Sequence, residues 1–261
     1  MNARSVQETL PAVVDARRFV AVVFDMDGVL TDTARVHFAA WKLLFDEALA
    51  HLTSGIAAKP FEFDDYLRFV DGRSRIDGVM AVLDARAVHL RTGASSDVAG
   101  DATAWALANR KDELFLRALQ KDGVHAFATS VDFVRAVRAA GLATAVVTAS
   151  AHRTDVLAAA GLDGMFDAHV DGVDASGLGL AGKPAPDMFL AAAARLAVDP
   201  GSAVVIEDAV AGVAAGRRGG FGLVVGVNRT GSASVLAAGG ADLVVGDLAE
   251  LRIVGLRSGR R

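Results

Sequence analysis

Apolar residues follow two rhythms along this chain. Val20-Ala21-Val22-Val23 is an unbroken, mostly β-branched run, and similar runs recur at 143–148, 203–206, 222–227 and 242–245, with a shorter candidate at 168–170. Continuous apolar runs of this length, bounded by turn residues, predict strands buried on both faces. Between them the spacing turns helical, predicting helices over 131–140, 153–160, 186–196 and 209–218, with Gly141 and Gly161 as stop signals. Residues 33–125 keep only the helical rhythm. Trp41, Leu44, Phe45 and Ala48 fall at i, i+3, i+4 and i+7 of a helix capped by Thr31 or Asp32 and running to about Leu49. Further helices are predicted over 61–70, 76–90 and 102–121, with loops at 51–60 and 91–101 and a basic turn at 71–75.

Strands alternating with helices predict an α/β fold: a Rossmann-like, doubly wound parallel sheet. The helical stretch after the first strand predicts an inserted α-helical cap over the strands' carboxyl ends. The expected organisation is an N-terminal tail at 1–19, a core at 20–32 and 126–251, a cap at 33–125, and a C-terminal tail at 252–261.

In such a sheet the residues just past each strand share one edge. The first strand ends in Asp25-Met26-Asp27-Gly28, where Gly28 lets the chain curl so that both acids crown the strand. The second ends in Thr148-Ala149-Ser150, and the strand over 203–206 ends in Glu207-Asp208. Lys183-Pro184 lies in a loop before a helix. Carboxylates from separate strands suit Mg²⁺, a hard cation, while the lysine and hydroxyls suit a phosphate. Each feature alone has an ordinary structural reading, as a solvated turn, a helix cap or a loop charge; their convergence at one edge favours a site. The glycines from Gly177 to Gly182 fit the dinucleotide fingerprint, and with Lys183 nearly fit a P-loop. Pro184 stands where a P-loop needs Ser or Thr, and the run follows a poorly formed segment at 171–176. A flexible loop delivering Lys183 is the better reading.

Composition narrows the classes. The chain has 261 residues, a net charge of −4 and no cysteine. Disulfides and thiolate metal sites are excluded, and nothing suggests nucleic acid or an anionic membrane as partner. With no signal-peptide pattern and no long apolar run, a soluble, cytoplasmic protein is expected, monomeric or a weak homodimer.

The motifs at 25–29, 148, 183–184 and 207–208, in that order, resemble those of the haloacid dehalogenase superfamily of phosphotransferases from about Val20 to Leu251. Thr31-Asp32-Thr33-Ala34-x-x-His37-x-x-x-Trp41, Gly72-x-x-Arg75, Arg110-Lys111 and Lys183-Pro184-Ala185-Pro186-Asp187 resemble its β-phosphoglucomutase-like subfamily. The resemblance implies Asp25 as nucleophile and Asp27 as general acid and base, which favours a pKa for Asp27 near neutrality. Thr148 and Lys183 would hold the transferring phosphoryl group, and Asp25, the backbone carbonyl of Asp27, Glu207 and Asp208 would hold Mg²⁺. Gly72 and Arg75, with Ser150, would meet the other phosphate of a sugar phosphate; His37 and Lys111 would couple cap closure to the acid. Two departures stand out. After Ser150 the subfamily continues Lys-Asn where this chain has Ala151-His152, so His152 and Arg153 are candidate replacements. The cap is also longer, around 50–59 and 86–101. The expected function is Mg²⁺-dependent interconversion of β-glucose 1-phosphate and glucose 6-phosphate; a phosphatase acting on a small phosphomonoester, and more remotely a non-catalytic binding module, are the alternatives. Dehalogenation does not need the second acid.

Overall fold

The computed structural model describes residues 12–52, 59–229 and 233–256. The chain opens on β1 (Ala12–Asp15) and β2 (Ala21–Asp25), then passes through α1 (Ala34–Leu52), α2 (Phe63–Phe69), α3 (Arg75–Ala85) and α4 (Ala104–Asp122). It continues as α5 (Ala128–Ala139), β3 (Ala143–Val147), α6 (Arg153–Ala159), β4 (Ala168–Val170), α7 (Gly172–Leu178) and α8 (Asp187–Arg195). The last part is β5 (Ala203–Glu207), α9 (Val210–Arg218), β6 (Leu223–Val227), α10 (Ala233–Ala238), β7 (Leu243–Val245) and β8 (Leu251–Val254).

Six strands form a parallel sheet in the order β4-β3-β2-β5-β6-β7. The chain winds outward from β2 through β3 and β4, then returns to β2's other side for β5, β6 and β7. The order therefore reverses at β2, and the crevice beyond its carboxyl end is the place where such sheets bind ligands. Side-chain alternation divides the core into two layers. Val22 and Phe24 pack toward Phe133, Val134 and Val137 of α5 and Val156 and Leu157 of α6. Ala21 and Val23 face Met188 and Phe189 of α8, Val213 of α9 and Leu236 of α10.

Helices α1 to α4 form the cap around an aromatic cluster. Trp41 stacks on Phe45 with ring centroids 5.4 Å apart, Phe45 meets Phe61 at 5.0 Å, and Phe38 meets Phe63 edge-on at 5.1 Å. The two crossings between core and cap are tied together. Asp32 N donates to His125 O at 2.9 Å and Phe127 N to Leu30 O at 2.9 Å. Buried Thr31 donates its hydroxyl to Met26 O at 3.2 Å, linking these crossings to the turn that carries the two aspartates.

Several elements differ from the sequence reading. The segments read as tails contain β1 and β8, which pair in parallel from Ala12↔Leu251 to Asp15↔Val254. Their contact spans almost the whole chain, so no local periodicity reveals it. Helix α3 ends at Ala85, where Ala87 takes a left-handed φ of 53° and the Arg86 N–H turns back to Val82 O. Residues 171–176, read as poorly formed, are the cap and first turns of a helix: Asp171 accepts from Val173 N and Asp174 N, and the Asp174 carboxylate accepts in turn from Asp171 N. Residues 53–58 of the predicted 51–60 loop lie outside the described residues, and α1 itself extends to Leu52. Among the described residues no helix is long and apolar enough to cross a membrane.

Candidate active site

Asp25 is the last residue of β2, and the chain leaves the sheet through Gly28. There φ is +84°, and a Cβ would stand 1.9 Å from Asp208 Oδ2, so conformation and space both demand glycine. Asp208, just past β5, thereby leans over the Asp25 turn. The buried Lys183 ammonium lies between two acids, paired with Asp25 Oδ1 and donating to Glu207 Oε1 at 2.5 Å. Glu207 also accepts from Ala209 N through Oε2 at 2.7 Å.

Asp25, Glu207 and Asp208 offer oxygens within 4.8 Å of one another. One ammonium cannot balance three carboxylates. Burial, with repulsion from Glu207 and Asp27, pushes the Asp25 carboxyl well above its ordinary value despite Lys183. Burial and the charges of Asp71, Glu207 and Asp25 do the same to Asp208. Burial alone would pull Lys183 down; Asp25 and Glu207 reverse that and hold it above its ordinary value. This surplus of negative oxygen fits a hard divalent cation. Glu207 has committed both oxygens, so Asp25 and Asp208 are the acids placed to ligate directly, with Glu207 bracing Lys183.

The Asp27 side chain turns elsewhere. Its Oδ1 accepts from Thr33 Oγ1 at 2.5 Å and its Oδ2 from Thr148 Oγ1 at 2.6 Å. His37 Nε2 stands 3.4 Å from Oδ1 without hydrogen-bond geometry, while His37 Nδ1 meets Lys111 Nζ at 2.8 Å. His37 stacks on Phe115, with centroids 4.1 Å apart, and the Lys111 ammonium lies 4.7 Å from the same ring. Burial would raise the Asp27 pKa, but His37, Thr148 and Thr33 overcome it and hold the carboxyl well below the usual range. The expectation of a value near neutrality is therefore corrected. Two hydroxyl donors and the nearby His37 ring converge on this carboxylate and stabilise its anion.

Burial pulls Lys111 down to about 8. A lysine whose folded value lies below its unfolded one costs stability in full below the folded value, and the cost fades as pH climbs toward the unfolded value. Lys111→Met is expected to raise stability at pH 7 by about 2 kcal/mol, an advantage that shrinks between pH 8 and 10. Urea unfolding across that range checks it; a gap that stays constant or widens would overturn the assignment.

A cavity of about 860 Å³ separates cap and core and is lined by Asp25, Asp27, Lys183 and Asp208 on one side and by Arg75, Lys111 and Asp112 on the other. Gly72 places the cap tip against the core, since a Cβ there would stand 3.0 Å from the Ala209 Cβ. Thr148 accepts from Ser150 N at 3.0 Å, so its hydroxyl links the Asp27 carboxylate to the turn after β3. Ser150 lines the cavity, and its Oγ accepts from His152 N at 3.1 Å. Arg75 does not stand free: its guanidinium pairs with Asp112 at 2.7 Å. Neither proposed replacement for the Lys-Asn pair points to a ligand. Arg153 is paired with Asp171 at 3.0 Å, and His152 Nε2 meets Asp112 Oδ1 at 3.0 Å.

Two acids were missed in the sequence. Asp71 lines the cavity, where burial and then Glu207 push it up to about 6. Its only sequence signal is a turn acid beside Gly72. Asp112 carries a plainer one, following Lys111 directly on a helix that also supplies cavity residues.

Residues 19–220 match the haloacid dehalogenase-like hydrolase family. The chain is 48% identical over 237 residues to a β-phosphoglucomutase of Mycobacterium tuberculosis, covering 88% of this chain and 90% of that protein. Among solved structures, a hydrolase from Pseudomonas syringae superposes with a TM-score of 0.71 at 25% identity, covering 88% of this chain and 95% of that one. A β-phosphoglucomutase from Clostridium difficile superposes at 0.70 and 24% identity, covering 89% and 92%, a likeness of fold.

Proposed function

The chain belongs to the haloacid dehalogenase-like hydrolase family, and on that premise we propose that it is a Mg²⁺-dependent sugar phosphate mutase interconverting β-glucose 1-phosphate and glucose 6-phosphate. The observation that carries this reading is the two-ended cavity. Asp25 and Lys183 stand at its core end and Arg75 at its cap end, so a sugar bisphosphate would find a cation at each phosphate.

In each cycle the aspartyl phosphate is re-formed when an Asp25 oxygen attacks phosphorus and the bond to the sugar oxygen breaks, that oxygen taking the proton Asp27 collected in the preceding transfer. Lys183 keeps the nucleophile's charge compensated and stays beside the phosphoryl oxygens. Asp25, Asp208 and the Asp27 carbonyl would hold Mg²⁺, with Glu207 behind them, and the bound cation would neutralise charge on the phosphoryl group. Asp27, held as an anion, is set to act first as a base. It takes the proton of the sugar hydroxyl that attacks the aspartyl phosphate, and as the resulting acid it returns that proton to the sugar oxygen that leaves in the next transfer. Thr33 and Thr148 fix its oxygens, while His37 and Lys111 connect it to the cap, so closure and acid placement are linked. Closure also keeps water from the aspartyl phosphate.

A second reading, a phosphatase on a small phosphomonoester, draws on Ala151 and on the engagement of Arg153 with Asp171, which leave fewer groups for a second phosphate. Purified protein with Mg²⁺, β-glucose 1-phosphate and a trace of glucose 1,6-bisphosphate separates the two. Glucose 6-phosphate without matching free phosphate supports the mutase; stoichiometric phosphate with no 6-phosphate supports the phosphatase. Asp27→Asn is expected still to accept phosphate on Asp25 from acetyl phosphate, while transfer to the sugar falls about 10²–10³-fold. Loss of both steps together would remove Asp27 from the proton role.

A further inference from the structure

We propose that Asp112 is a positioning residue that latches the cap to the core and aims Arg75 into the cavity. The inference rests on the mutase reading only for what Arg75 then binds. Asp112 sits on α4 of the cap. Its Oδ2 forms an ion pair with Arg75 Nη1 at the start of α3, at 2.7 Å, and its Oδ1 stands 3.0 Å from Nε2 of His152, in the core turn after β3. One carboxylate thus holds a cap cation with one oxygen and reaches the core with the other.

The core end of this bridge is itself fixed. His152 N donates to Ser150 Oγ at 3.1 Å, and the imidazole lies 6.0 Å, centroid to centroid, from Phe115 of α4. The Arg75 and Asp112 side chains are 33% and 25% exposed, so solvent screens the pair less than it would on an open surface. Burial would raise the Asp112 carboxyl, but His152 and Arg75 bring it down to about 2, so it is an anion at neutral pH.

The contact with Asp112 uses one nitrogen of the Arg75 fork. The remaining donors are left to an anion, and their direction is set by the nitrogen that is held. Ala151 brings no charge to the cavity, and His152 does not line it. Recognition of a remote phosphate therefore falls on the cap arginines that line the cavity, Arg73 and Arg75, and of these Arg75 is the one held by Asp112.

The absence of cysteine allows a clean distance measurement. Leu43→Cys in the cap and Val173→Cys in the core, at positions 48% and 63% exposed, would carry spin labels on the full-length protein. In that background, Asp112→Asn and His152→Gln are each expected to broaden the ligand-free distance distribution, and the double variant to broaden it no further. In unlabelled enzyme with Mg²⁺, Asp112→Asn is expected to raise KM for β-glucose 1,6-bisphosphate at least tenfold more than it changes kcat/KM for acetyl phosphate, which has no second phosphate. Asp112→Glu should recover part of that loss. Unchanged distributions, additive broadening, equal loss with both donors or a fall in KM for the bisphosphate would each overturn the latch. If the unmodified enzyme takes phosphate from acetyl phosphate but makes no glucose 6-phosphate, the mutase reading fails, and the distance distributions alone decide for or against the latch.

Discussion

Asp25→Asn is expected to lower turnover by at least about 10⁴-fold and to eliminate the acid-stable, hydroxylamine-sensitive label of an aspartyl phosphate. The same change should leave the metal-free protein at least as resistant to heat as the parent. The usual rule is that deleting one partner of a buried ion pair is strongly destabilising, because a charge is left uncompensated. Here the deletion has the opposite character. Lys183 serves two carboxylates and Asp208 adds a third, so removing Asp25's charge leaves Lys183 paired with Glu207 and relieves repulsion on Asp208. Asn keeps the shape of the side chain, so the turn through Gly28 is undisturbed. Mg²⁺ separates the two effects. A cation at a hundred times its dissociation constant stabilises a protein that binds it by about 2.7 kcal/mol; the parent should show such a shift in melting and Asp25→Asn should lose most of it. Melting several degrees below the parent in EDTA would show Asp25 to be mainly a structural partner of Lys183.

The difference between what the sequence disclosed and what it hid follows from the range of each interaction. Asp25, Thr148 and Asp208 were legible because each follows a continuous apolar strand, and a doubly wound sheet brings strand ends together whatever the intervening chain does. Lys183 was legible through its order in the motif series. The β1–β8 pair was not, since four-residue strands at opposite ends of the chain leave no periodic trace. The pairings of Asp112 and Arg153 were hidden for a different reason. Arg153 is a candidate phosphate ligand in sequence from its place after Ser150; its partner, Asp171, caps a helix that the glycine-rich composition at 172–179 concealed. Asp112 needed the docking of α4 against the turn after β3 before its two partners could be seen. The ionisation of Asp27 depended on a histidine from α1 and hydroxyls from its preceding turn and from β3's end arriving around one carboxylate, which motif spacing does not report.

Lys183→Met should have the opposite signature to Asp25→Asn, losing both activity and stability. Methionine approximates the length of the chain while deleting the ammonium. Asp25 and Glu207 would then face each other and Asp208 with no cation among them, in a place where burial already penalises ionised carboxyls. The expected cost in EDTA is about 3–5 kcal/mol, the range for breaking a buried pair from one side. Its pH dependence has a definite sign. Carboxyls whose folded pKa exceeds the unfolded value bind protons more tightly in the native state, so they contribute stability at low pH that is lost as pH rises through the folded value. Removing Lys183 raises those folded values further, so the deficit relative to the parent should be large at pH 8 and smaller at pH 5. Mg²⁺ should recover part of it at pH 8, because the cation supplies charge to the same oxygens, but should not restore turnover, since phosphorylation of Asp25 still lacks the ammonium beside the nucleophile and is expected to be about 10³-fold slow. Unfolding followed at both pH values, with and without Mg²⁺, tests each part. A deficit that grew on acidification would mean that Lys183 acts in the fold through something other than these carboxylates, and a fully active variant would take it out of phosphoryl transfer.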